Sequence, residues 1–495
     1  MQYCSTRNSK LRVHSAYAIR NGLSEDGGLF LPVACPALSI KDILALKEYS
    51  YPVRAAKILS LFLTDYNYDT LLSFTSRAYS SGKFPEKSPC PVVNIGDNIH
   101  VLELFHGPTA AFKDMALQML PLLLTEAMQL EKVNEKVLIL TATSGDTGSA
   151  AMTGFSEVDN TAICVFYPEG GTSLLQRLQM TTQTGSNVKA VAVKGNFDDA
   201  QRGVKDLFVD PIVISKLKDH GYQFSSANSI NFGRLAPQIV YYFSAYLDMV
   251  NTGDIIPGEK IDIVVPTGNF GNILSAYYAK EMGLPVGKLI CASNQNKVLF
   301  DFVRTGIYDK RRDFYRTTSP SMDILVSSNL ERLLFLLLDK DDKQTSAYMH
   351  QLNTNGYYSV NDTMLKKIKS DFSAYWTDEE ATISSIRFAF EKYGYLPDTH
   401  TAVALDAARQ YIKETGTSSP VLVASTASPF KFPATILNAL GADVPDNELE
   451  MIKALETASG QIAPDCLKGL PYKKERFTDI IEQENMNTAM DSLLG

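Results

Sequence analysis

Apolar residues between positions 100 and 295 follow two periodicities in turn. Short apolar runs of strand length are each followed by a segment in which apolar residues recur every three or four positions. This alternation predicts an α/β protein with a mainly parallel sheet covered by helices. The predicted strands are 101–105, 136–141, 162–167, 188–193, 222–225, 261–265, 289–292 and 421–425, and the predicted helices begin near 112, 149, 198, 235, 272 and 401.

The two ends of the chain and one central stretch follow other patterns. Residues 40–74 favour helices, the polar stretch 80–91 contains three prolines, and residues 295–400 are less regular, with no predicted strand. The tail from residue 436 is polar and is predicted to be helical. We expect an N-terminal domain at 1–90, an α/β body at 91–435 with a smaller subdomain at roughly 110–240, and a helical C-terminal segment at 436–495.

Composition narrows the classes of function. A formal net charge of −8 over 495 residues argues against nonspecific binding to nucleic acids or anionic membranes, and no apolar run is long enough to span a bilayer. The six cysteines lack CxxC spacing and the six histidines lack HExxH spacing, so no metal site or disulfide framework is indicated. Scattered thiols suit a reducing cytoplasm, where we expect the protein to be located.

Lys113 is the first candidate for chemistry. It begins a predicted helix after the apolar run 101–105 and the turn His106-Gly107-Pro108-Thr109, and its neighbours three, four and seven positions on are apolar. Loss of hydration on that face lowers the pKa of the amine, which favours the neutral form that Schiff-base chemistry needs. A lysine that reaches solvent or pairs with Asp114 is the alternative that this stretch alone leaves open.

The loop from Thr143 to Gly148 also joins a predicted strand to a predicted helix. Such a loop presents backbone N–H groups and hydroxyls at a helix N-terminus, which predicts a cradle for an anion or a carboxylate. Asp146 suits that site only if its carboxylate caps the helix or accepts a proton from the ligand. A capped turn without a ligand is the alternative.

A second small-residue loop runs from Thr267 to Asn272. Its glycines allow close approach of the backbone, and Asn269 and Asn272 add neutral donors. The loop matches neither the GxxxxGK[ST] phosphate loop nor the GxGxxG dinucleotide fingerprint. A neutral cradle is typical of a phosphate that belongs to a cofactor, while a tight turn without a ligand is the alternative.

Two further clusters could contact a ligand. Thr426 follows the predicted strand 421–425, and open α/β sheets bind ligands at the carboxyl ends of their strands. In the segment Ser226–Arg234, the guanidinium of Arg234 could hold a phosphate or carboxylate with two hydrogen bonds. Capping of the strand end by Thr426 and a solvated Arg234 at a helix start are the alternatives.

Taken together, these clusters resemble a known family. The motifs HGPTAAFKD, TATSGDTGSAA, NSINFGR, PTGNFGN and STASPFKFP resemble those of the threonine synthase family, which belongs to the fold type II pyridoxal-phosphate enzymes. NGLSEDGGLFLP and PDTHTAVAL are similar to further landmarks of that family, so the resemblance covers essentially the whole chain. It implies two open, mainly parallel sheets covered by helices, as in the tryptophan synthase β-like fold, and pyridoxal 5'-phosphate as the cofactor.

The resemblance also implies a role for each matching residue. Lys113 is implied to form the internal aldimine and then to act as acid and base, and Thr426 to face the pyridine nitrogen. The implied cofactor-binding residues are Lys113, Phe112, Asp146, Gly268, Asn269, Phe270, Gly271, Asn272 and Thr426. The implied substrate-binding residues are Thr143, Ser144, Asp146, Thr147, Asn228, Ser229, Asn231 and Arg234.

The chain departs from the family pattern near Thr426. Ser428 and Phe430 stand where the family commonly has histidine and alanine. Asp146 stands where other fold type II enzymes often have asparagine, although aspartate is familiar in this subgroup. The change at Ser428 and Phe430 concerns the local detail of the cofactor pocket and leaves the implied reaction class unchanged.

The implied reaction converts O-phospho-L-homoserine and water to L-threonine and phosphate, the last step of threonine biosynthesis. It is a carbon–oxygen lyase reaction in which Lys113 removes the Cα proton, phosphate leaves from Cγ and water adds at Cβ. A serine or threonine deaminase and a catalytically silent relative are the alternatives. We expect a small-molecule substrate, no nucleic-acid or membrane partner, and a monomer or homodimer.

Overall fold

The computed structural model describes residues 1–143 and 145–494. Ser144, one of the predicted substrate-binding residues, lies outside the described residues. Within these ranges, no helix combines the length and the apolar character needed to cross a lipid bilayer.

The strands of the described residues form two large sheets and two small ones. They are β1 (Tyr3–Ser5), β2 (Asn8–Val13), β3 (Phe30–Pro32), β4 (Val92–Gly96), β5 (Ile99–Glu103), β6 (Lys136–Ala142), β7 (Thr161–Pro168), β8 (Val188–Val193), β9 (Tyr222–Ser225), β10 (Ile261–Pro266), β11 (Val286–Ser293), β12 (Ile307–Asp309), β13 (Tyr357–Ser359), β14 (Phe372–Trp376), β15 (Val421–Ser425) and β16 (Ile480–Ile481). The large sheets have the strand orders β14-β11-β10-β15-β5-β4 and β16-β8-β7-β6-β9.

Helices cover these sheets and build the two ends of the chain. They are α1 (Ser15–Asn21), α2 (Ile40–Ala45), α3 (Tyr51–Phe62), α4 (Tyr68–Ala78), α5 (Lys113–Leu117), α6 (Leu120–Leu130), α7 (Asp146–Phe155), α8 (Leu174–Thr181), α9 (Phe197–Val209), α10 (Pro211–Asp219), α11 (Phe232–Thr252), α12 (Gly271–Glu281), α13 (Val298–Thr305), α14 (Leu330–Leu337), α15 (Asp342–Asn355), α16 (Asp362–Asp371), α17 (Glu379–Tyr393), α18 (Thr399–Thr415), α19 (Pro433–Leu440), α20 (Glu448–Ser459), α21 (Asp465–Lys468) and α22 (Asp491–Leu494). Short 3-10 helices lie at Leu46–Glu48, Pro320–Met322, Pro429–Lys431, Leu470–Tyr472, Gln483–Asn485 and Thr488–Met490.

Both large sheets are open and mainly parallel. In the six-stranded sheet only the edge strand β4 runs antiparallel to its neighbour, and in the five-stranded sheet all four pairs are parallel. Strands β7 and β10 are buried along their whole length. Strands covered on both faces need near-continuous apolar runs, which is why the sequence pattern finds them. The predicted fold class is confirmed.

Several elements differ from their predictions, and three of them shape the large sheets or the site. The helix predicted from Phe112 onward is interrupted between α5 and α6, because Pro121 lacks an amide hydrogen and fits only the first turn of a helix. The tail that is predicted to be helical also supplies β16, which pairs with β8. Strand β14 lies within 295–400, where no strand is predicted, and it extends the six-stranded sheet beside β11.

The N-terminal segment is packed onto the α/β body. Its strands form a small antiparallel sheet in the order β2-β1-β3. The ring centroid of Tyr3 lies 5.1 Å from that of Phe232 in α11, and Arg7 Nε donates to Glu331 Oε1 over 3.0 Å. The domain limits at residues 90 and 435 stay predictions.

Candidate active site

One cavity of about 630 Å³ lies at the carboxyl ends of parallel strands from both large sheets. Its wall includes Ala142 at the end of β6, Pro266 at the end of β10 and Thr426 just after β15. Ligands bind at this edge of open α/β sheets because loops and helix N-termini converge there. The predicted site residues that line the cavity are Phe112, Lys113, Thr143, Asp146, Thr147, Asn228, Ser229, Arg234, Gly268, Asn269, Phe270, Gly271, Asn272 and Thr426.

Asn231 is a predicted site residue that does not line this cavity. It is fully buried and stands at the N-cap of α11, where its Oδ1 accepts a hydrogen bond from Gly233 N over 2.9 Å. Its Nδ2 donates to Ile19 O over 2.8 Å. The structure therefore gives Asn231 a helix-capping position in place of the predicted substrate contact, because short amide side chains satisfy the first free amides of a helix.

Lys113 is buried at the start of α5, with only 8% of its surface exposed. Its Nζ lies 3.6 Å from Asp146 Oδ2 and donates to Ser321 Oγ over 3.3 Å. Burial lowers the pKa of this amine, and the nearby Asp146 carboxylate offsets only part of that effect. The alternative pairing with Asp114 is wrong, because Asp114 instead accepts hydrogen bonds from Thr109 N and Oγ1.

Asp146 is the first residue of α7 and the centre of a buried polar network. Its Oδ1 lies 2.8 Å from Lys431 Nζ and accepts a hydrogen bond from Gln176 Nε2 over 3.1 Å. Burial alone would raise the pKa of this carboxyl, but Lys431 and Lys113 together hold it well below its usual range. Asp146 is therefore an anion that faces Lys113, and Gly145 occupies the N-cap position.

The loop before α7 is more closed than its sequence predicts. Thr143 Oγ1 accepts hydrogen bonds from Gly145 N over 2.9 Å and from Gly148 N over 3.0 Å. Two of the amides that were expected to face a ligand are therefore already satisfied by the loop itself. Thr143 and Thr147 still line the cavity, so the loop is both a closed turn and part of the cavity wall.

The loop before α12 has the backbone of a phosphate cradle. Phe270 adopts a left-handed conformation with φ of 61° at the N-cap of the 11-residue helix α12, and no side chain caps the helix there. The first amides of a helix lack helical partners and suit an anion. A Cβ on Gly268 would lie 2.5 Å from Ser321 O, so only glycine fits there. Asn272 Oδ1 accepts from Tyr241 and Tyr242, while its buried Nδ2 has no partner among the described residues. An unpartnered donor at such a loop suits an anionic ligand group.

Arg234 is a buried cation that lines the same cavity. Its Nη1 donates to Ala227 O over 2.7 Å, and among the residues that the structure describes no carboxylate pairs with it. Burial lowers its pKa to about 10, so the guanidinium remains charged at neutral pH. The alternative of a solvated Arg234 is wrong, and a buried cation without a carboxylate partner indicates an anion site.

Family models match most of this chain. The family description "Threonine synthase N terminus" matches residues 2–79, "Pyridoxal-phosphate dependent enzyme" matches 87–427, and "Threonine synthase, C-terminal" matches 401–489. Threonine synthase of Pseudomonas aeruginosa is 38% identical over 443 residues, which cover 89% of this chain and 90% of that protein. The chain belongs to the threonine synthase family. The family resemblance of the sequence motifs is confirmed, and the predicted cofactor is the one that the family description names.

Solved structures from the threonine synthase family have the same overall fold. A crystal structure of pyridoxal-phosphate-bound threonine synthase from Brucella melitensis superposes with a TM-score of 0.87 at 36% identity and covers 100% of this chain and 99% of that one. Among relatives by sequence, threonine synthase-like 1 of Homo sapiens is 41% identical over 433 residues, or 86% of this chain. The chain spans only 57% of the length of that protein.

Several residues around Lys113 and Asp146 were not found from the sequence. Lys431 lies within STASPFKFP and His400 within PDTHTAVAL, two motifs of the threonine synthase family. The motifs therefore included both residues, but the sequence assigned neither of them a role. His400 Nδ1 lies 2.7 Å from Asp398 Oδ2, and its Nε2 accepts from Ser321 N over 3.1 Å. Ser321 lies in the irregular stretch 295–400 and carried no signal, because only the folded chain brings it to Lys113.

Proposed function

We propose that this chain converts O-phospho-L-homoserine and water to L-threonine and phosphate. The observation that carries the proposal is a single cavity in which Lys113 is accompanied by two separate sites suited to phosphate. One site is the loop 268–272, and the other is the buried guanidinium of Arg234. A cofactor phosphate and a substrate phosphate together account for both sites.

The residues of the cavity fit pyridoxal phosphate. The free Nδ2 of Asn272 and the amides at the start of α12 would hold its phosphate, Lys113 its aldehyde carbon, and Thr426 its ring nitrogen. When bound, this cofactor supplies an electron sink for the carbanion that forms beside the substrate's amino group.

The remaining residues would orient the substrate and move protons. Lys113 Nζ, held by burial toward its neutral form, would take the proton from the substrate's α-carbon. Thr147, near the N-terminus of α7, would face the substrate carboxylate. Arg234, with Asn228 and Ser229 beside it on the cavity wall, would bind the substrate phosphate and stabilise its charge as it departs.

A catalytically silent, ligand-binding role is the second candidate. It is favoured by one observation, namely that relatives at 41% identity carry the name threonine synthase-like 1. A deaminase is a third possibility within the same fold type, but it leaves the anion site at Arg234 without a use.

Product analysis separates these candidates. The purified chain with pyridoxal phosphate is incubated with O-phospho-L-homoserine or with L-threonine, and phosphate, threonine and keto acids are measured. The proposal expects threonine and phosphate in equal amounts from the first substrate. Keto acid formed from L-threonine, with no phosphate released from O-phospho-L-homoserine, would indicate a deaminase. Binding without any product would indicate the silent relative.

Replacement of Lys113 tests the residue on which the proposal rests. Lys113→Ala should abolish both turnover and the borohydride-trappable link to the cofactor, because Lys113 is the one buried lysine on the described cavity wall, whereas Lys431, the other lysine beside Asp146, does not line the cavity. Lys453→Ala, which removes an exposed lysine from α20, is the matched control and should leave both unchanged. Normal threonine production by Lys113→Ala would contradict the assignment.

We propose a cytoplasmic location, supported by the scattered cysteine spacing, and a monomer or homodimer. Size-exclusion chromatography with light scattering measures the oligomeric state directly.

A further inference from the structure

Lys431 is a completely buried lysine to which the proposed function assigns no part. It ends the 3-10 helix Pro429–Lys431, behind the cavity wall. Its Nζ lies 2.8 Å from Asp146 Oδ1 and donates to Thr109 O over 3.0 Å. A buried ammonium is tolerated only beside a compensating carboxylate, so Lys431 and Asp146 form a pair with no net charge.

The same carboxylate also faces Lys113. Asp146 Oδ2 lies 3.6 Å from Lys113 Nζ, so two lysines share one anion. Because Lys431 already balances Asp146, a proton on Lys113 leaves the buried cluster with one uncompensated positive charge. The cluster is electrically balanced only when Lys113 is neutral.

The other charged groups around the cluster do not restore that balance. Arg234 acts on Lys113 from α11 and disfavours its proton further. His400 acts on Asp146 from α18 and, with Lys431, stabilises the carboxylate. Asp114, next to Lys113 in α5, accepts hydrogen bonds from Thr109 N and Oγ1 with its two carboxylate oxygens and does not pair with Lys113.

We propose that Lys431 is a positioning residue, which neutralises Asp146 and so leaves Lys113 as the neutral amine that reacts with an aldehyde. The inference rests on the proposed function, because the aldehyde in question is that of the cofactor. In that reaction the lone pair of Nζ adds to the carbonyl carbon, a C=N bond forms, and the carbonyl oxygen leaves as water with the two amine hydrogens. A protonated Nζ has no lone pair for this step.

The test is the pH dependence of cofactor attachment to the full-length chain freed of cofactor. Pyridoxal phosphate is added at a series of pH values, the link is reduced with borohydride after a short fixed time, and the modified Lys113 peptide is quantified by mass spectrometry. Lys431→Met frees Asp146 to pair with Lys113, so the midpoint of attachment should move to higher pH by about 1 to 3 pH units.

Three further variants test the direction of the midpoint shift and its electrostatic cause. Asp146→Asn removes the anion and should move the midpoint below that of the parent chain. The double variant Lys431→Met with Asp146→Asn replaces an ion pair that has no net charge by two uncharged side chains, so its midpoint should return close to the parent value. Lys431→Arg keeps the charge and should leave the midpoint unchanged.

A second pair of variants covers a failure of Lys431→Met to fold. Lys431→Gln retains a hydrogen-bond donor without the charge. The difference between its attachment midpoint and that of Lys431→Arg therefore reports the effect of the charge alone. A loss of thermal stability with an unmoved midpoint in Lys431→Gln or Lys431→Met would overturn the inference and leave Lys431 a structural residue. Absence of any link to Lys113 in the parent chain at every pH would instead overturn the proposed function.

Discussion

Three buried charges in this molecule are stabilised in three different ways. Asp146 is held by two lysines, Asp114 by the amide and hydroxyl of Thr109, and Arg234 by one carbonyl oxygen. Removing a charge from water is costly, and ion pairs or hydrogen bonds to the charge offset that cost. Of these three charges, Arg234 has the fewest partners among the described residues, so an anionic ligand gains most beside it.

The first prediction concerns this arginine. Arg234→Lys should lower kcat/KM for O-phospho-L-homoserine by about 10- to 100-fold, mainly through KM, because a lost charge-assisted contact costs about 1.5–3 kcal/mol. Steady-state kinetics measure the effect. Arg304→Lys changes an exposed ion pair with Glu414 and serves as the control. An unchanged KM in Arg234→Lys would contradict an anion site at this position.

The second prediction concerns the pH dependence of stability. Burial raises the pKa of Asp114 to about 6, above its value in the unfolded chain, so the folded state holds this proton more tightly. The resulting stabilisation is fully present below about pH 4 and is lost as the pH rises through about 6.

Asp114→Asn removes this titration, so the difference in urea midpoint between parent and variant should shrink from pH 5 to pH 8. The change corresponds to roughly 1–1.5 kcal/mol. Both chains are followed by circular dichroism over that range, and Asp371→Asn, a substitution of a partly exposed carboxylate, controls for general charge effects. A constant difference across the range would show that Asp114 carries no proton in the folded state.

At the scale of single elements, the turns between strands and helices decide the site. The turn before α7 closes on Thr143, whereas the turn before α12 leaves the buried Asn272 Nδ2 without a partner. Similar small-residue patterns thus fold into turns with different capacities to bind an anion. The difference arises because Thr143 reaches back to its own loop, while Asn272 is turned by Tyr241 and Tyr242.

The third prediction concerns Gly268 in the second of these turns. In Gly268→Ala, the new Cβ would meet Ser321 O at 2.5 Å, so the segment carrying Ser321 must shift. Overpacking of this kind costs about 1–3 kcal/mol, and we expect the Kd for pyridoxal phosphate to rise by about tenfold. Gly82→Ala is the matched control, since a Cβ there meets nothing within 4 Å. Fluorescence titration of both variants measures the affinity, and equal values would contradict the prediction.

At the scale of the whole molecule, the C-terminal tail completes the smaller sheet. Strand β16 pairs with the edge of β8, and Met486, Met490 and Leu494 join the core beside that sheet. A paired edge and a covered apolar face both protect a parallel sheet from association with other chains.

The fourth prediction follows from this arrangement. Deletion of residues 480–495 should lower the Tm by at least about 5 °C and promote aggregation, because it exposes β8 and the apolar face beside it. Differential scanning calorimetry and light scattering detect these changes. Glu484→Gln alters an exposed tail residue and should leave both unchanged. A truncated chain with unchanged Tm would show that the tail is dispensable for the sheet.

The sequence by itself determined the strands at the centre of the two large sheets, because burial on both faces requires continuous apolar runs. It also identified the family and Lys113, since the motifs are short local patterns in a fixed order. The edge strands β14 and β16 were not predicted, because their pairing depends on a distant strand rather than on their own pattern.

Only the tertiary structure decided which side chains meet at Lys113. Asp146, Ser321 and Lys431 are far apart along the chain, and no local periodicity predicts that their side chains converge. The fold also assigned Asn231 to a helix cap and Arg234 to the cavity, although both come from one motif. Contacts of this kind depend on the path of the whole chain, because hydrogen bonds and charge pairs form only where the fold brings buried groups together.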